Sequence, residues 1–263
     1  MKRKINRYDV FIDTLSKNFS QINNFQLTQE EGIGKTLFEF IIKRLAEINS
    51  FKILFSNYYI PAASKSISDD INEINKSKYR YLIKISKDDL KENYYETIRL
   101  GYIGMFHKYE NYIDDLLIQA ENLNLEVSDK GQPLIKYIEE NFNFKFKDWK
   151  HSPTISRLNW ICICNKHYDG YPIKEPKNIQ YLSLPNDERM KFTKDDFVRD
   201  IDMLIKIYEL MLQAILNFTM YKVTFEFSES ENFEDEELRQ KHLNTKTTAN
   251  MMLNKFIEIF KSL

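Results

Sequence analysis

The stretch that decides the fold is IRLGYIGMFHKYENYIDDL, which runs from residue 98 to residue 116. Its large apolar side chains recur at spacings of four, three, four, three and four residues. This period places them on one side of an α-helix, where they form a seam that packs against other helices. Upstream, Ser86 caps the helix, and Asp88 and Asp89 follow where negative charge suits the helix dipole. We therefore predict a long helix from Ser86 to about Leu123. The seam residues are Ile98, Tyr102, Met105, Tyr109, Tyr112 and Leu116.

The composition of the chain also favours long helices. Only 6 Gly and 6 Pro occur in 263 residues, which disfavours a turn-rich sandwich or barrel. The net charge of −1 provides no general attraction for polyanions, so any contact with nucleic acid has to be a local basic patch. The 2 Cys lie in one short segment and indicate no disulfide framework. No apolar run approaches the roughly 18–20 residues of a membrane span, and we predict a cytoplasmic protein without a membrane partner.

Helical patterns extend on both sides of the seam helix. Apolar residues over 8–25 and 246–262 predict extra N- and C-terminal helices, and Ser152-Pro153 begins a helix over about 153–168. A Pro-containing loop over 169–194 precedes a helix that opens with the capping box Thr193-Lys-Asp-Asp196.

Two short segments have the alternation of a strand instead. They are 79–85 and 221–227, and we expect them to pair as a small two-stranded ribbon that brackets the central helices. Residues 61–78 are rich in Ser, Asn and Asp and predict a polar linker or a mobile loop. The predicted segments are 1–78, an N-terminal helical region with its linker; 79–227, a helical core; and 228–263, an acidic connector and C-terminal helix.

A polar cluster ends the predicted helix over 153–168. Asn165, Lys166 and His167 follow an apolar helix and face the long loop. One interpretation is a ligand site, because cationic and hydrogen-bonding groups converge there. The other is helix capping, because Lys and His suit the negative end of a helix dipole.

A metal site is a third interpretation of this segment, because Cys162 and Cys164 lie close to His167. On a helix, however, the two Cys side chains are about 200° apart and cannot share one ion with the His. No second Cys/His cluster supplies further ligands. We predict no metal and no other cofactor.

Three parts of the chain together resemble the HEPN superfamily (higher eukaryotes and prokaryotes nucleotide-binding). They are Tyr109-Glu110-Asn111-Tyr112 in the seam helix, Cys164-Asn-Lys-His-Tyr-Asp-Gly170, and the amphipathic helix from Asp195. The resemblance covers about residues 87–220. It implies a HEPN-type helical bundle, commonly a homodimer. Many HEPN proteins are metal-independent endoribonucleases of toxin–antitoxin and phage-defence systems, so an antitoxin or other defence protein is an implied partner.

The HEPN catalytic pattern is an Arg, a polar residue, four to six further residues and a His. His167 matches it, but the nearest upstream Arg is Arg157, which Leu158 follows, with nine residues between Arg157 and His167. An unbroken helix separates the two by about 15 Å along its axis and roughly 80° around it. The resemblance then implies His167 as acid and base, with Arg157 or Lys166 as the phosphate clamp. Asn165 is the implied positioning donor, and Glu110 orients one of these groups from the seam helix.

A separate segment, 143–150, interleaves aromatic and basic residues. Lys145, Lys147, Trp149 and Lys150 have the composition of an RNA contact. The alternative is that Phe144, Phe146 and Trp149 pack inward. The sequence thus predicts an HEPN-like endoribonuclease or toxin-like effector, or, alternatively, a non-catalytic HEPN-like module that binds RNA, a nucleotide or a protein. A helical scaffold of unrelated fold is the remaining interpretation.

Overall fold

The computed structural model describes residues 6–20, 34–127, 131–146, 148, 152–229 and 235–261. Within these ranges the chain is mainly helical, which confirms the predicted fold class at that level. The α-helices in chain order are α1 (Arg7–Ser20), α2 (Lys35–Leu54), α3 (Ile60–Lys76), α4 (Lys87–Val127), α5 (Leu134–Phe142), α6 (Pro153–His167), α7 (Lys194–Glu229) and α8 (Glu236–Lys261).

The chain divides into two compact units. The first comprises Met1–Leu45, Tyr112–Ser152 and Ile207–Leu263, and the second comprises Ala46–Asn111 and Pro153–Lys206. Helices α2, α4 and α7 therefore contribute residues to both. These units are defined by spatial packing, and the segmentation into 1–78, 79–227 and 228–263 stays a prediction.

The first unit has an aromatic core around α7. The Phe142 ring at the end of α5 lies 5.1 Å from the Phe218 ring, and Phe144 stacks on Phe218 at 5.8 Å. A buried charge lies in this interior: Lys222, 1% exposed, places its Nζ 2.5 Å from Oδ1 of Asn124. The Asn124 amide in turn donates to Glu121, so the buried ammonium is part of a hydrogen-bonded chain.

In the second unit the predicted seam is buried. Ile98, Tyr102 and Met105 are each at most 1% exposed. Gly101 lets α7 approach closely, because a Cβ added there would lie 2.8 Å from the Phe197 ring. Tyr102 and Phe197 meet edge to face with ring centroids 5.5 Å apart. The periodicity of 98–116 therefore predicted a helix that the structure confirms.

The predicted linker over 61–78 is wrong, because most of it is helix α3. A π-helical turn, Phe55–Tyr59, joins α2 to α3, and Pro61 lies in the first turn, where its missing N–H costs no hydrogen bond. Helix α3 is amphipathic, with Ile60 and Ile67 buried, but its many polar residues make this pattern difficult to recognise in the sequence.

The predicted two-stranded ribbon is also wrong. Residues 79–82 form turns, with the Leu82 N–H donating to the Tyr79 carbonyl at 2.8 Å, and 221–227 belong to α7. The alternation in 221–227 was one of residue type and not of exposure. Lys222 occupies a polar position of that pattern, yet it is as buried as Tyr221 and Phe225.

Helices α1, α6, α7 and α8 agree with the sequence patterns, with shifted ends, and residues 21–25 of the predicted N-terminal helix lie outside the described residues. Helix α8 begins ten residues before the predicted 246, where Oδ1 of Asp235 accepts the Glu237 N–H at 2.8 Å. The loop after α6 is confirmed and contains a single 3₁₀ turn, Ile179–Tyr181. Residues 194–225 of α7 are long and apolar enough to cross a membrane, but 78% of their most apolar window is buried in the structure, as in an ordinary core helix.

A proline substitution distinguishes helix α3 from a linker. Asp69 is exposed in the interior of α3, so Asp69→Pro removes a helical hydrogen bond and introduces a steric clash. We expect a loss of about 3 kcal/mol in the free energy of unfolding, measured by urea denaturation. Asp69→Ala is the control and leaves stability nearly unchanged, and an equally mild effect of the proline would contradict a helix at this position.

Candidate functional site

The polar cluster lies at the end of α6, which is followed by two residues with a left-handed backbone conformation. Asp169 has φ 53° and Gly170 has φ 82°, and the Gly170 N–H donates to the Cys164 carbonyl at 3.0 Å. This conformation costs glycine little and closes the helix. The Gly170 carbonyl then accepts the Met190 N–H at 2.8 Å, which brings the far end of the loop back to the end of α6.

Gly170 also permits a close approach of Arg99 from α4. A Cβ at residue 170 would lie 2.7 Å from Cδ of Arg99. Arg99 cannot move aside easily, since it is 2% exposed, bonded to Glu92 and Glu96, and donates to the Met190 carbonyl at 3.3 Å. Backbone geometry and a buried arginine together determine where this helix end lies in the second unit.

Arg189 is the functional candidate that sequence reasoning missed. Its guanidinium forms ion pairs with Asp169, two residues after His167, and with Glu92, at 3.2 Å between Nη1 and Oε1. It also lies 5.4 Å from the centroid of the Tyr171 ring. Burial would raise the pKa of Glu92, but the two arginines outweigh burial and lower it. Arg189 reaches Asp169 because the loop after α6 folds back onto the helix end. No spacing in the sequence predicts this ion pair.

The predicted site residues at this helix end differ in exposure. Lys166 and His167 are exposed, and Tyr168 is 38% exposed. Asn165 is 9% exposed, and neither atom of its amide has a hydrogen-bond partner among the described residues. A buried amide without partners is unusual, because most buried polar groups are hydrogen-bonded. The helix end therefore combines accessible cationic groups with a buried amide.

Glu110 and Cys162 lie close enough to interact electrostatically. Burial raises the pKa of the Cys162 thiol to about 11, the charge of Glu110 contributes in the same direction, and Lys166 opposes it. Both Cys162 and Cys164 are buried free thiols. Among the described residues no group of three His, Cys, Asp or Glu side chains is placed to hold a metal ion. The structure thus brings Glu110 near the residues that precede Lys166.

Arg157 occupies a different environment from the one that the HEPN pattern implies. It is 8% exposed, and its guanidinium donates two hydrogen bonds to the carboxylate of Asp200, at 3.0 and 2.7 Å. Asp200 is 1% exposed and also accepts the Tyr102 hydroxyl at 2.7 Å. Arg157 further donates to the Tyr181 hydroxyl at 3.2 Å. The side chain expected to clamp a phosphate is therefore bound within the protein.

The loop is held against α6 by aromatic packing. Tyr181 stacks on Trp160 with the ring centroids 5.2 Å apart and the planes within 7°. The Trp160 indole N–H donates to the Lys174 carbonyl at 3.0 Å. Beside this contact lies a cleft of about 410 Å³ that is lined by Tyr181, Arg189 and Asp200, among others. Arg189 therefore borders space that a ligand can enter.

The predicted RNA contact over 143–150 is described only in part. Lys145 is exposed, whereas Lys147, Trp149 and Lys150 lie outside the described residues. Phe144 and Phe146 are 5% and 6% exposed and pack against each other at 5.0 Å. These two rings belong to the core of the first unit and are not free to stack on bases.

Neutralising Asp200 tests the buried ion pair. Asp200→Asn keeps the side-chain size but leaves the Arg157 charge buried without a carboxylate. Removing one partner of such a pair costs about 3–5 kcal/mol, which urea denaturation measures. Asp88→Asn, in an exposed pair with Lys91 at the start of α4, is the control and costs at most about 1 kcal/mol. Equal small effects of both substitutions would show that Arg157 does not depend on Asp200.

Adding a methyl group at residue 170 tests the helix end. Gly170→Ala places a Cβ in a left-handed conformation and against Arg99. We expect a loss of about 1–2 kcal/mol from the backbone conformation alone, and more from displacement of Arg99, in urea denaturation. Tyr168→Ala, at an exposed position of the same helix end, is the control. Unchanged stability of Gly170→Ala would contradict the close approach.

Comparisons with known proteins identify no relative of this chain. No protein-family model matches the chain, no curated protein is significantly similar, and no solved structure matches its fold. The resemblance to the HEPN superfamily thus depends on the residues of this chain alone, and what it implies about function is a proposal.

Proposed function

We propose that this protein is an HEPN-like, metal-independent endoribonuclease that acts as a toxin-like effector in bacterial defence. One observation carries the proposal: Arg189 forms an ion pair with Asp169, two residues after the exposed His167 and three after Lys166. The cation that the HEPN pattern requires, and that Arg157 does not supply, is then contributed by the loop. Its partner molecules are RNA, a second copy of the chain and an antitoxin-like protein.

The chemistry follows from these groups. The His167 imidazole takes the proton of a ribose 2′-hydroxyl, and the 2′-oxygen attacks the adjacent phosphorus. The bond from phosphorus to the 5′-oxygen breaks, and the imidazolium returns the proton to that oxygen. The products are a 2′,3′-cyclic phosphate and a 5′-hydroxyl, so atoms and charge balance without a metal.

The cationic groups have a distinct role in this scheme. Lys166 and Arg189 stabilise the negative charge that builds up on the phosphate oxygens in the transition state. Arg189 exchanges part of its contact with Asp169 for the phosphate, which a partly exposed ion pair permits because such pairs are weak. Glu110 orients Lys166 from α4. The Asn165 amide is buried, so the positioning role that the resemblance implies for it is not part of this scheme.

A second candidate function is RNA binding without cleavage, as an HEPN-like module. The observation that favours it is the pairing of both arginines: Arg157 is bound to Asp200, and Arg189 contacts Glu92 as well as Asp169. If neither guanidinium leaves its carboxylates, the exposed Lys166 and His167 still bind a phosphate, but the transition state lacks its strongest stabilising group.

Cleavage assays decide between these functions. The purified full-length protein is incubated with total RNA and with tRNA, with and without EDTA, and the products are tested for 2′,3′-cyclic phosphate ends. We expect His167→Ala to lower the cleavage rate by about 10²–10⁴-fold and Arg189→Ala by about 10²–10³-fold. His107→Ala, an exposed histidine of α4, is the matched control and keeps full activity.

Three outcomes would contradict nuclease activity at this helix end. They are cleavage that EDTA abolishes, full cleavage by His167→Ala, and intact RNA in every reaction. Intact RNA together with measurable binding supports the second candidate function. Arg157→Ala is not a diagnostic variant, since loss of the Asp200 partner destabilises the protein whatever its activity.

A further inference from the structure

The most basic surface segment of the second unit lies between α3 and α4. Residues 76–87, KSKYRYLIKISK, contain five cations and no acidic residue, in a chain whose net charge is −1. We name this segment the basic turn. Its cations are Lys76, Lys78, Arg80, Lys84 and Lys87. A neutral protein that contacts a polyanion needs such a local concentration of positive charge.

The basic turn is ordered by its own backbone and not by burial. The Ser77 hydroxyl accepts the Tyr79 N–H at 3.1 Å, and the Ser77 carbonyl accepts the Arg80 N–H at 3.2 Å. At its other end, Ser86 and Asp89 form a capping box that begins α4. Both ends are thus held by helices, while the side chains between them, apart from the half-buried Ser77 and Ile83, are exposed.

Its aromatic residues are exposed. Tyr79 is 51% exposed and Tyr81 is 72% exposed, and the Lys78 ammonium lies 4.9 Å from the centroid of the Tyr79 ring. Aromatic rings that alternate with cations provide flat surfaces for bases and charges for phosphates. The segment 143–150 has the same composition, but Phe144 and Phe146 are buried there.

We propose that the basic turn binds single-stranded RNA, with Tyr79 and Tyr81 stacking on bases and Lys78, Arg80 and Lys84 contacting phosphates. The proposal rests on RNA being the partner of the proposed function and adds a second surface for it. An anionic membrane surface is the competing occupant, since Leu82 is 66% exposed. RNA is favoured because the cations are interspersed between the rings, whereas membrane-surface helices segregate charges from one continuous apolar face.

The position of the basic turn is consistent with one RNA strand that contacts both surfaces. Lys87 begins α4, and Glu92 lies five residues, or about 7.5 Å, further along the helix. Glu92 contacts Arg189, which contacts Asp169 at the end of α6. Of the two carboxylates at the start of α4, Asp88 is paired with Lys91 at 2.7 Å, whereas Asp89 accepts hydrogen bonds from Ser86 and keeps its charge.

Binding is measured with a probe that the protein cannot cleave. A fluorescein-labelled 2′-O-methyl U20 oligonucleotide lacks the 2′-hydroxyl nucleophile, and its fluorescence anisotropy reports affinity for the full-length wild-type protein in EDTA. We expect Tyr79→Leu with Tyr81→Leu to weaken binding by about 10–100-fold, since leucine keeps apolar bulk but cannot stack. We expect Lys78→Gln, Arg80→Gln and Lys84→Gln together to reduce the slope of log affinity against log salt by about 2.

Matched controls separate local from general effects. Lys241→Gln with Lys255→Gln removes two exposed lysines of α8 and leaves the affinity and the salt slope nearly unchanged. Far-UV circular dichroism and thermal melting establish that each variant is folded, which is expected because the substituted side chains are exposed. Phosphatidylserine vesicles serve as the membrane probe for the wild type and for the leucine variant.

The outcomes distinguish this proposal from the proposed function. Binding of the oligonucleotide that depends on the basic turn, with no cleavage of natural RNA, supports this proposal and overturns nuclease activity. Cleavage that depends on His167, with affinity unaffected in the leucine and glutamine variants, overturns this proposal and supports nuclease activity. No binding by the wild type overturns it as well. Vesicle binding that survives in the leucine variant, with RNA affinity unchanged, assigns the basic turn to a membrane instead.

Discussion

The buried ion pair between Arg157 and Asp200 is the interaction on which the second unit depends. A guanidinium and a carboxylate lose several kcal/mol of hydration each when they leave water, and only close, well-aligned partners offset that loss. Here two direct hydrogen bonds and the hydroxyls of Tyr102 and Tyr181 surround the pair. These four residues come from α6, α7, α4 and the loop, so the requirement to satisfy one buried charge fixes four elements at once. The position of the candidate site follows from that constraint.

A second buried arginine, Arg99, imposes a similar constraint at the end of α6. Arg99 is buried between Glu92, Glu96 and the Met190 carbonyl, and only a glycine at residue 170 leaves room for it. Since Met190 also donates its N–H to Gly170, the neighbouring Arg189 has to lie beside Asp169. The candidate site is therefore assembled from residues that are remote in sequence. Its geometry depends on the packing of buried charges and not on a local motif.

This dependence explains which features the sequence could predict. The seam helix and the helix after Thr193 were predictable because their apolar period reports burial on one side. Helix α3 was not, since its Ser, Asn and Asp residues resemble a linker and only a few isoleucines mark its buried side. In 221–227 every side chain that the structure describes is buried or half-buried. The alternation of polar and apolar residue types there therefore does not indicate which residues are exposed. The pairing of Arg157 with Asp200 spans 43 residues, and that of Arg189 with Asp169 spans 20. No periodicity encodes either contact.

Burial also sorts the cations of the second unit into two classes. Arg99 and Arg157 are buried and form ion pairs with carboxylates inside the protein. Their charges hold helices together and are not accessible to a partner molecule. The cations of the basic turn and of the α6 end remain accessible. Arg189 connects the two regions, because it forms ion pairs with Glu92 of α4 and with Asp169 at the end of α6. With a net charge of −1, long-range attraction of a polyanion is weak, and recognition has to depend on contacts at short range. The RNA binding that we propose then depends more on exposed tyrosines and a few well-placed cations than on the total number of basic residues.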